Sequence, residues 1–96
     1  MRLQPLFDRV ILRHVADDSA ARAGILVSAE GEEQPVLAVV VALGLGKVLD
    51  NGEYFMPTVS LGDHILLEPG EGIEFEIDGE RLVAAKEKDI ICIVKT

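Results

Sequence analysis

Apolar and polar residues along this chain fall into short runs bounded by turn residues, and no helical stripe longer than a turn is present. Arg9 to Val15 reads as the first strand and is stopped by Asp17-Asp18-Ser19. Val36 to Leu43, rich in β-branched residues, reads as a buried strand ended by Gly44-Leu45-Gly46. Lys47-Val48-Leu49, Asp50-Asn51-Gly52 and Glu53-Tyr54-Phe55 predict a hairpin, because Asn-Gly accepts the positive φ angles of a tight primed turn. After Leu61-Gly62-Asp63 come a strand over His64 to Leu67 and a turn over Glu68-Pro69-Gly70-Glu71-Gly72. Ile73, Phe75 and Ile77 then alternate with Glu74 and Glu76, which sets three apolar side chains on one strand face and two carboxylates on the other. Asp78-Gly79 predicts a second primed turn into Arg81 to Ala85, and a polar corner from Lys86 to Asp89 leads to the last strand, Ile90 to Val94. Near the start, Leu3 to Phe7 reads as a short extended arm, since Pro5 is tolerated only at an edge or a strand's beginning. About seven short strands with frequent turns imply an all-β domain, a small sandwich or a partly open barrel.

One stretch breaks this rhythm. Ile25-Leu26-Val27 sits in the middle of Asp17 to Gln34, which is otherwise made mostly of Ala, Gly, Ser and acids. Nothing alternates with the three apolar residues, so two readings stand: a short core strand, or a flexible loop carrying an apolar plug for a partner's groove. A connection of this length is unusual in a compact domain without a function of its own.

Composition narrows the classes. A chain of 96 residues supports one domain, residues 1–96, with a single core and no room for a separate cofactor domain. Hydrophobic residues make up 49% of the chain, yet aromatics only 4%, so Val, Ile and Leu must supply the core. The formal charge of −8 repels phosphate backbones and anionic lipid, which argues against nucleic acid and membrane surfaces as partners. Cys92 is the single cysteine, so no intrachain disulfide forms, and its place in an apolar run predicts a small buried side chain in a reducing compartment. The N-terminal residues have no continuous apolar core of a secretory signal, and the longest apolar run, Val36 to Leu45, is half a membrane span.

Little in the sequence suggests catalysis. Gly44-x-Gly46 after a strand lacks the third glycine of a dinucleotide fingerprint, where Leu49 stands, and no helix follows to bind the pyrophosphate. His14 with Asp17 and Asp18 lacks a fourth metal ligand, so a solvated strand end is the expected role and no metal site is assigned. Glu68, Glu71, Glu74, Glu76, Asp78 and Glu80 read as a charged surface with no apolar pocket among them to raise a pKa. Ser19, Ser28 and Ser60 are loop residues far in sequence from either histidine.

Several segments in order, Pro5-Leu6-x-Asp8-Arg9-Val10, Gly24-Ile25-Leu26-Val27, Asn51-Gly52, Leu61-Gly62-Asp63, Asp78-Gly79-Glu80 and Lys88-Asp89-Ile90-Ile91-Cys92-Ile93-Val94, give a chain that resembles the co-chaperonins of the GroES type over nearly its whole length. The resemblance implies a GroES-like, partly open β-barrel with a mobile loop at about residues 16–34 and a roof hairpin at about 48–54, tipped by Asp50, Asn51 and Gly52. It implies a non-enzymatic cap on the cage of a GroEL-type chaperonin, assisting ATP-dependent folding of unfolded substrate proteins in the cytoplasm, with no cofactor of its own because ATP is bound by the partner. Binding would fall to Gly24, Ile25, Leu26 and Val27. Assembly, by the same resemblance, would be a seven-subunit ring closed by the N-terminal strand of one subunit (Leu3, Pro5, Leu6, Phe7) against the C-terminal strand of the next (Cys92, Ile93, Val94, Lys95). Departures gather around the loop: Ala23 stands where a second glycine is common, Val27 where Leu is common, and Pro35-Val36-Leu37-Ala38-Val39 replaces a polar lead-in, which leaves the register of the following strand open. The alternative is a diverged barrel of the same fold that binds another protein partner.

A loop of this composition cannot bury enough surface to offset the entropy of ordering, so trypsin is expected to cut the free protein first after Arg22. Mass analysis of a short digest checks this, and first cleavage at another basic residue would contradict it.

Overall fold

The computed structural model describes residues 2–15 and 35–95. Its strands are β1 (Arg9–His14), β2 (Val36–Leu43), β3 (Lys47–Val48), β4 (Tyr54–Phe55), β5 (His64–Leu67), β6 (Ile73–Ile77), β7 (Glu80–Lys86) and β8 (Ile90–Val94), with a single 3-10 turn at Glu87–Asp89. Six strands form one antiparallel sheet in the order β6-β7-β1-β2-β5-β8, and β3 and β4 form a separate hairpin. The segment Pro35 to Val39 enters β2 without slippage: Ala38 stands opposite both His14 and Ile65.

Cross-strand partners share a face, so the register alone sorts the side chains. Val10 and Leu12 of β1, Ala38 and Val40 of β2, Ile65 and Leu67 of β5, and Val83 and Ala85 of β7 point to one side and are buried there with Val59. Each such side chain removes apolar surface worth about 25 cal/mol per Å² from water. A flat sheet could not enclose this cluster. It curls instead, and the inner side chains meet across it: a methyl group placed at Gly72 would lie 2.7 Å from Val83 Cγ1 of β7 and 3.5 Å from Leu67 Cδ2 of β5. Those two strands are three places apart in the sheet, about 14 Å if it were flat. The result is a partly open barrel, as expected, with β6 and β8 left as its edges.

Two irregularities sharpen the curl. Between Ile11 and Leu12 the pairing to β2 skips Val41, and between Leu66 and Leu67 the pairing to β8 skips Ile91. An extra residue bends its strand and raises the local twist. In β8 it also changes the side-chain parity. Ile90 and Ile93 both pack on the core, whereas strict alternation would send them to opposite faces.

That shift corrects the expectation for Cys92, which is exposed and lies opposite Leu66 on the outer face. A second finding concerns β6. Its alternation is as expected, but Ile73, Phe75 and Ile77 share a face with Ala84, Leu82 and Glu80, opposite to the buried Val83 and Ala85, and Ile73 is 72% exposed. The register follows from the Asp78-Gly79 turn, where both residues have positive φ (52° and 78°), the two-residue primed geometry that pairs Ile77 with Glu80. The other hairpin turns differently. Gly52 N–H donates to Leu49 O at 2.9 Å and only Gly52 takes positive φ, so Asp50, Asn51 and Gly52 form a three-residue bulged loop in place of the two-residue primed turn.

Ile65→Ala is expected to lower stability by about 2–5 kcal/mol, because it empties a site at the centre of the curl. Ile73→Ala on the outer face should stay within about 0.5 kcal/mol in the dissociated chain. Urea unfolding of both variants decides the matter, and equal losses would place the β6 apolar row in the core.

Candidate functional site

Three parts of the chain carry the residues singled out from the sequence. Gly24, Ile25, Leu26 and Val27, with the rest of the 16–34 loop, lie outside the described residues. The positions of its two ends are nevertheless defined. The chain leaves at Val15, after β1, and returns at Pro35, before β2; Val15 N–H donates to Leu37 O at 2.9 Å, so the two ends are side by side. The strands that carry them occupy the middle of the sheet.

The N-terminal arm is the second part. Leu3 and Leu6 have no strand partner among the described residues, and Pro5 is buried. Gln4 Nε2 donates to Leu43 O at 3.2 Å, and Arg2, Leu3 and Gln4 line a groove on the outer face whose floor includes Ile11, Val41 and Leu82. Ile11 and Leu82 are buried although they point away from the core, and Arg2, Leu3 and Gln4 of the arm line the same groove. Arg13 and Glu80 close one side of the groove through an ion pair, the guanidinium Nε donating to Glu80 Oε1 at 2.7 Å. Both side chains are about half exposed, so the pair contributes about 1 kcal/mol at most. The extended part of the arm ends at Leu6, which shortens the predicted one: Phe7 is in a turn, with φ of +57°.

Cys92, Ile93, Val94 and Lys95 are at the far edge of the sheet. Among the described residues β8 pairs on one side only, with β5, and its other edge of backbone N–H and C=O groups is open. Leu3, Pro5, Leu6 and Phe7 form no strand pair with this edge among the described residues.

The hairpin is the third part. Its tip residues Asp50, Asn51 and Gly52 are all exposed, with Asn51 Oδ1 accepting from Glu53 N–H at 3.0 Å. Behind the tip the hairpin is unusually apolar for a solvated element. Val48, Leu49, Tyr54, Phe55 and Met56 are exposed, Met56 by 76%, and an isolated two-stranded ribbon has marginal stability in water.

Sequence reasoning missed the base that unites these parts. Gly44 and Gly46, first weighed as a failed nucleotide fingerprint, are there for space: side chains at them would run into the carbonyl oxygens of Phe7 and Phe55. Two glycines flanking the junction of a strand and a hairpin were the available signal. Glu87 adds a further tie, its Oε1 accepting from Thr58 N–H at 2.6 Å. Among the described residues no polar or charged side chain is buried, and the features on offer are apolar surface, an open strand edge and a loop anchored in the sheet.

Comparison with known proteins gives a consistent picture. The family model described as "Chaperonin 10 Kd subunit" matches residues 2–94. The chain is 36% identical over 95 residues to the co-chaperonin GroES of Vesicomyosocius okutanii, covering 99% of this chain and 100% of the relative. Identity and coverage are the same for the co-chaperonin GroES of Alkalilimnicola ehrlichii. For that of Legionella pneumophila the identity is 34% over 95 residues, covering 99% of each chain.

Proposed function

The chain belongs to the chaperonin 10 kDa subunit family and acts as a co-chaperonin, and we propose that it does so as a seven-subunit ring that caps a GroEL-type chaperonin through Ile25, Leu26 and Val27. The observation that carries this reading is the end-to-end match to co-chaperonins, which spans the loop, the hairpin and both terminal segments together. It favours capping over a barrel that kept the fold for another partner. In this reading the chain performs no catalytic step and needs no cofactor. ATP is handled by the chaperonin, unfolded proteins occupy the space beneath the ring, and the assembly works in the cytoplasm.

Ring closure follows from the edges. Among the described residues the arm has no strand partner in its own chain, and β8 has one unoccupied side. Pairing arm to β8 between neighbours satisfies both sets of backbone groups and removes an aggregation-prone edge, and a head-to-tail contact of this kind closes into a ring when the rotation fits. Asp50, Asn51 and Gly52 then lie on the roof.

Binding follows from the loop. Burying each residue of the tripeptide yields roughly 1.5–3 kcal/mol, while ordering four or five loop residues costs about 1–2 kcal/mol apiece. One loop therefore binds weakly, and useful affinity arises when several copies on one ring engage together, because each later contact is intramolecular. Small changes per loop are multiplied over the ring.

Two experiments test the two halves of this reading. Removal of residues 1–7 is expected to give monomers on a sizing column, and a truncated chain that still elutes as a ring would place the interface elsewhere. Separately, Leu26→Asp should abolish capping while native mass shows an intact ring, and Val27→Leu, which adds a methylene worth about 0.8 kcal/mol per loop, should slow dissociation from immobilised chaperonin. Normal capping by Leu26→Asp would return the tripeptide to the role of a core strand.

A further inference from the structure

The roots of the arm, the hairpin and β8 meet at one place. Leu6 to Arg9 form a turn in which Arg9 N–H donates to Leu6 O at 3.2 Å. Phe7, the first central residue, has φ of +57°, while Asp8 is not in the left-handed region. Glycine ordinarily fills that first position, and a bulky residue there is strained. Phe7 is 50% exposed, so packing of its ring does not explain why it is held.

The surrounding backbone does. Gly46 N–H donates to Phe7 O at 2.8 Å, Gly44 N–H to Arg9 O at 3.0 Å, and Glu87 N–H to Asp8 O at 3.1 Å. Three consecutive carbonyls of the turn are thus held from two sides. Gly44 permits this only because it has no side chain, since a Cβ would strike the Phe7 carbonyl oxygen. Gly44 and Gly46 lie at the root of the hairpin and Glu87 at that of β8. Gly46 opens the hairpin and its Cα faces the Phe55 carbonyl at the hairpin's return. Glu87 begins the 3-10 turn that feeds directly into β8, and its carboxylate also holds Thr58 N–H just after the hairpin.

We infer that Phe7, Gly44, Gly46 and Glu87 form a joint that fixes the direction in which the arm leaves the barrel relative to the hairpin and β8, and so positions the arm for the neighbouring subunit. The inference rests on the ring reading above and adds positioning residues to it. A subunit must present its arm outward and its β8 edge to the other neighbour at one fixed angle, or the cycle does not close. The strained turn stores that angle, because the left-handed conformation persists only where surrounding contacts over-determine it.

The test compares Phe7→Val with Phe7→Asn in the full chain, reading the ring-to-monomer midpoint by native mass over a dilution series and the thermal unfolding of the diluted monomer. A β-branched residue resists the left-handed region and Asn tolerates it. Phe7→Val is therefore expected to raise the half-assembly concentration about tenfold or more, with Phe7→Asn close to the parent both in assembly and in monomer melting. The order is diagnostic: were the Phe7 side chain itself a subunit contact, the apolar Val would assemble better than the polar Asn, and that result would overturn the joint. Equal assembly of both variants with the parent would also overturn it. A parent protein that stays monomeric at every concentration would defeat the ring reading itself, and the joint with it.

Discussion

A sheet that is apolar on the face it turns inward, and has no helix or second sheet to lay over it, must curl until it covers itself. That constraint explains most of this molecule. Among the described residues Val10, Leu12, Ile65 and Leu67 pack against other strands of the same sheet and the loop residue Val59. The bulges at Val41 and Ile91 supply the bend, and the curl stops short of closure because β6 and β8 do not pair. A closed barrel would have no backbone left to offer a neighbour. The open one keeps, among the described residues, an unpaired edge at β8.

The division of labour that results is sharp. Stability resides in a small aliphatic core with no buried polar group among the described residues, whereas the exposed apolar surface of the hairpin and the open β8 edge lie outside it. Such a scaffold tolerates change at the rim, since substitutions outside the core carry small stability effects. The apolar Pro35 to Val39 entry leaves the β2 register intact because inward-facing Ala38 and Val40 specify it.

Strand positions were legible from alternation and turn residues to within a residue or so, because a period of two and a Gly at each corner are local properties. Asp78-Gly79 was read correctly as a two-residue turn for the same reason. Asn51-Gly52 was not, since the choice between a two-residue and a three-residue loop depends on how Leu49 and Glu53 pair, which is a cross-strand fact. Cys92 and the β6 face were misjudged or left open by the same limit: one skipped residue at Ile91 reverses which side chains point inward, and β7 is apolar on both faces, so hydrophobicity does not say which side is core. Ile25-Leu26-Val27, an apolar group where nothing alternates with it, lies outside the described residues. The joint at Phe7 was invisible, because a left-handed phenylalanine has no sequence signature and its partners are about 37 to 80 residues away.

The anchorage of the loop has a mechanical meaning. Its two ends emerge from β1 and β2, the central pair of the sheet, and each of those strands is bonded on its other side to a further strand, β7 or β5. A pull on the loop runs along both strands and is resisted by rows of hydrogen bonds sliding in parallel, the shear geometry in which many bonds must yield together. Had the loop sprung from an edge strand, the same pull would have peeled the sheet one bond at a time. A barrel pulled through this loop is therefore loaded where it is hardest to open.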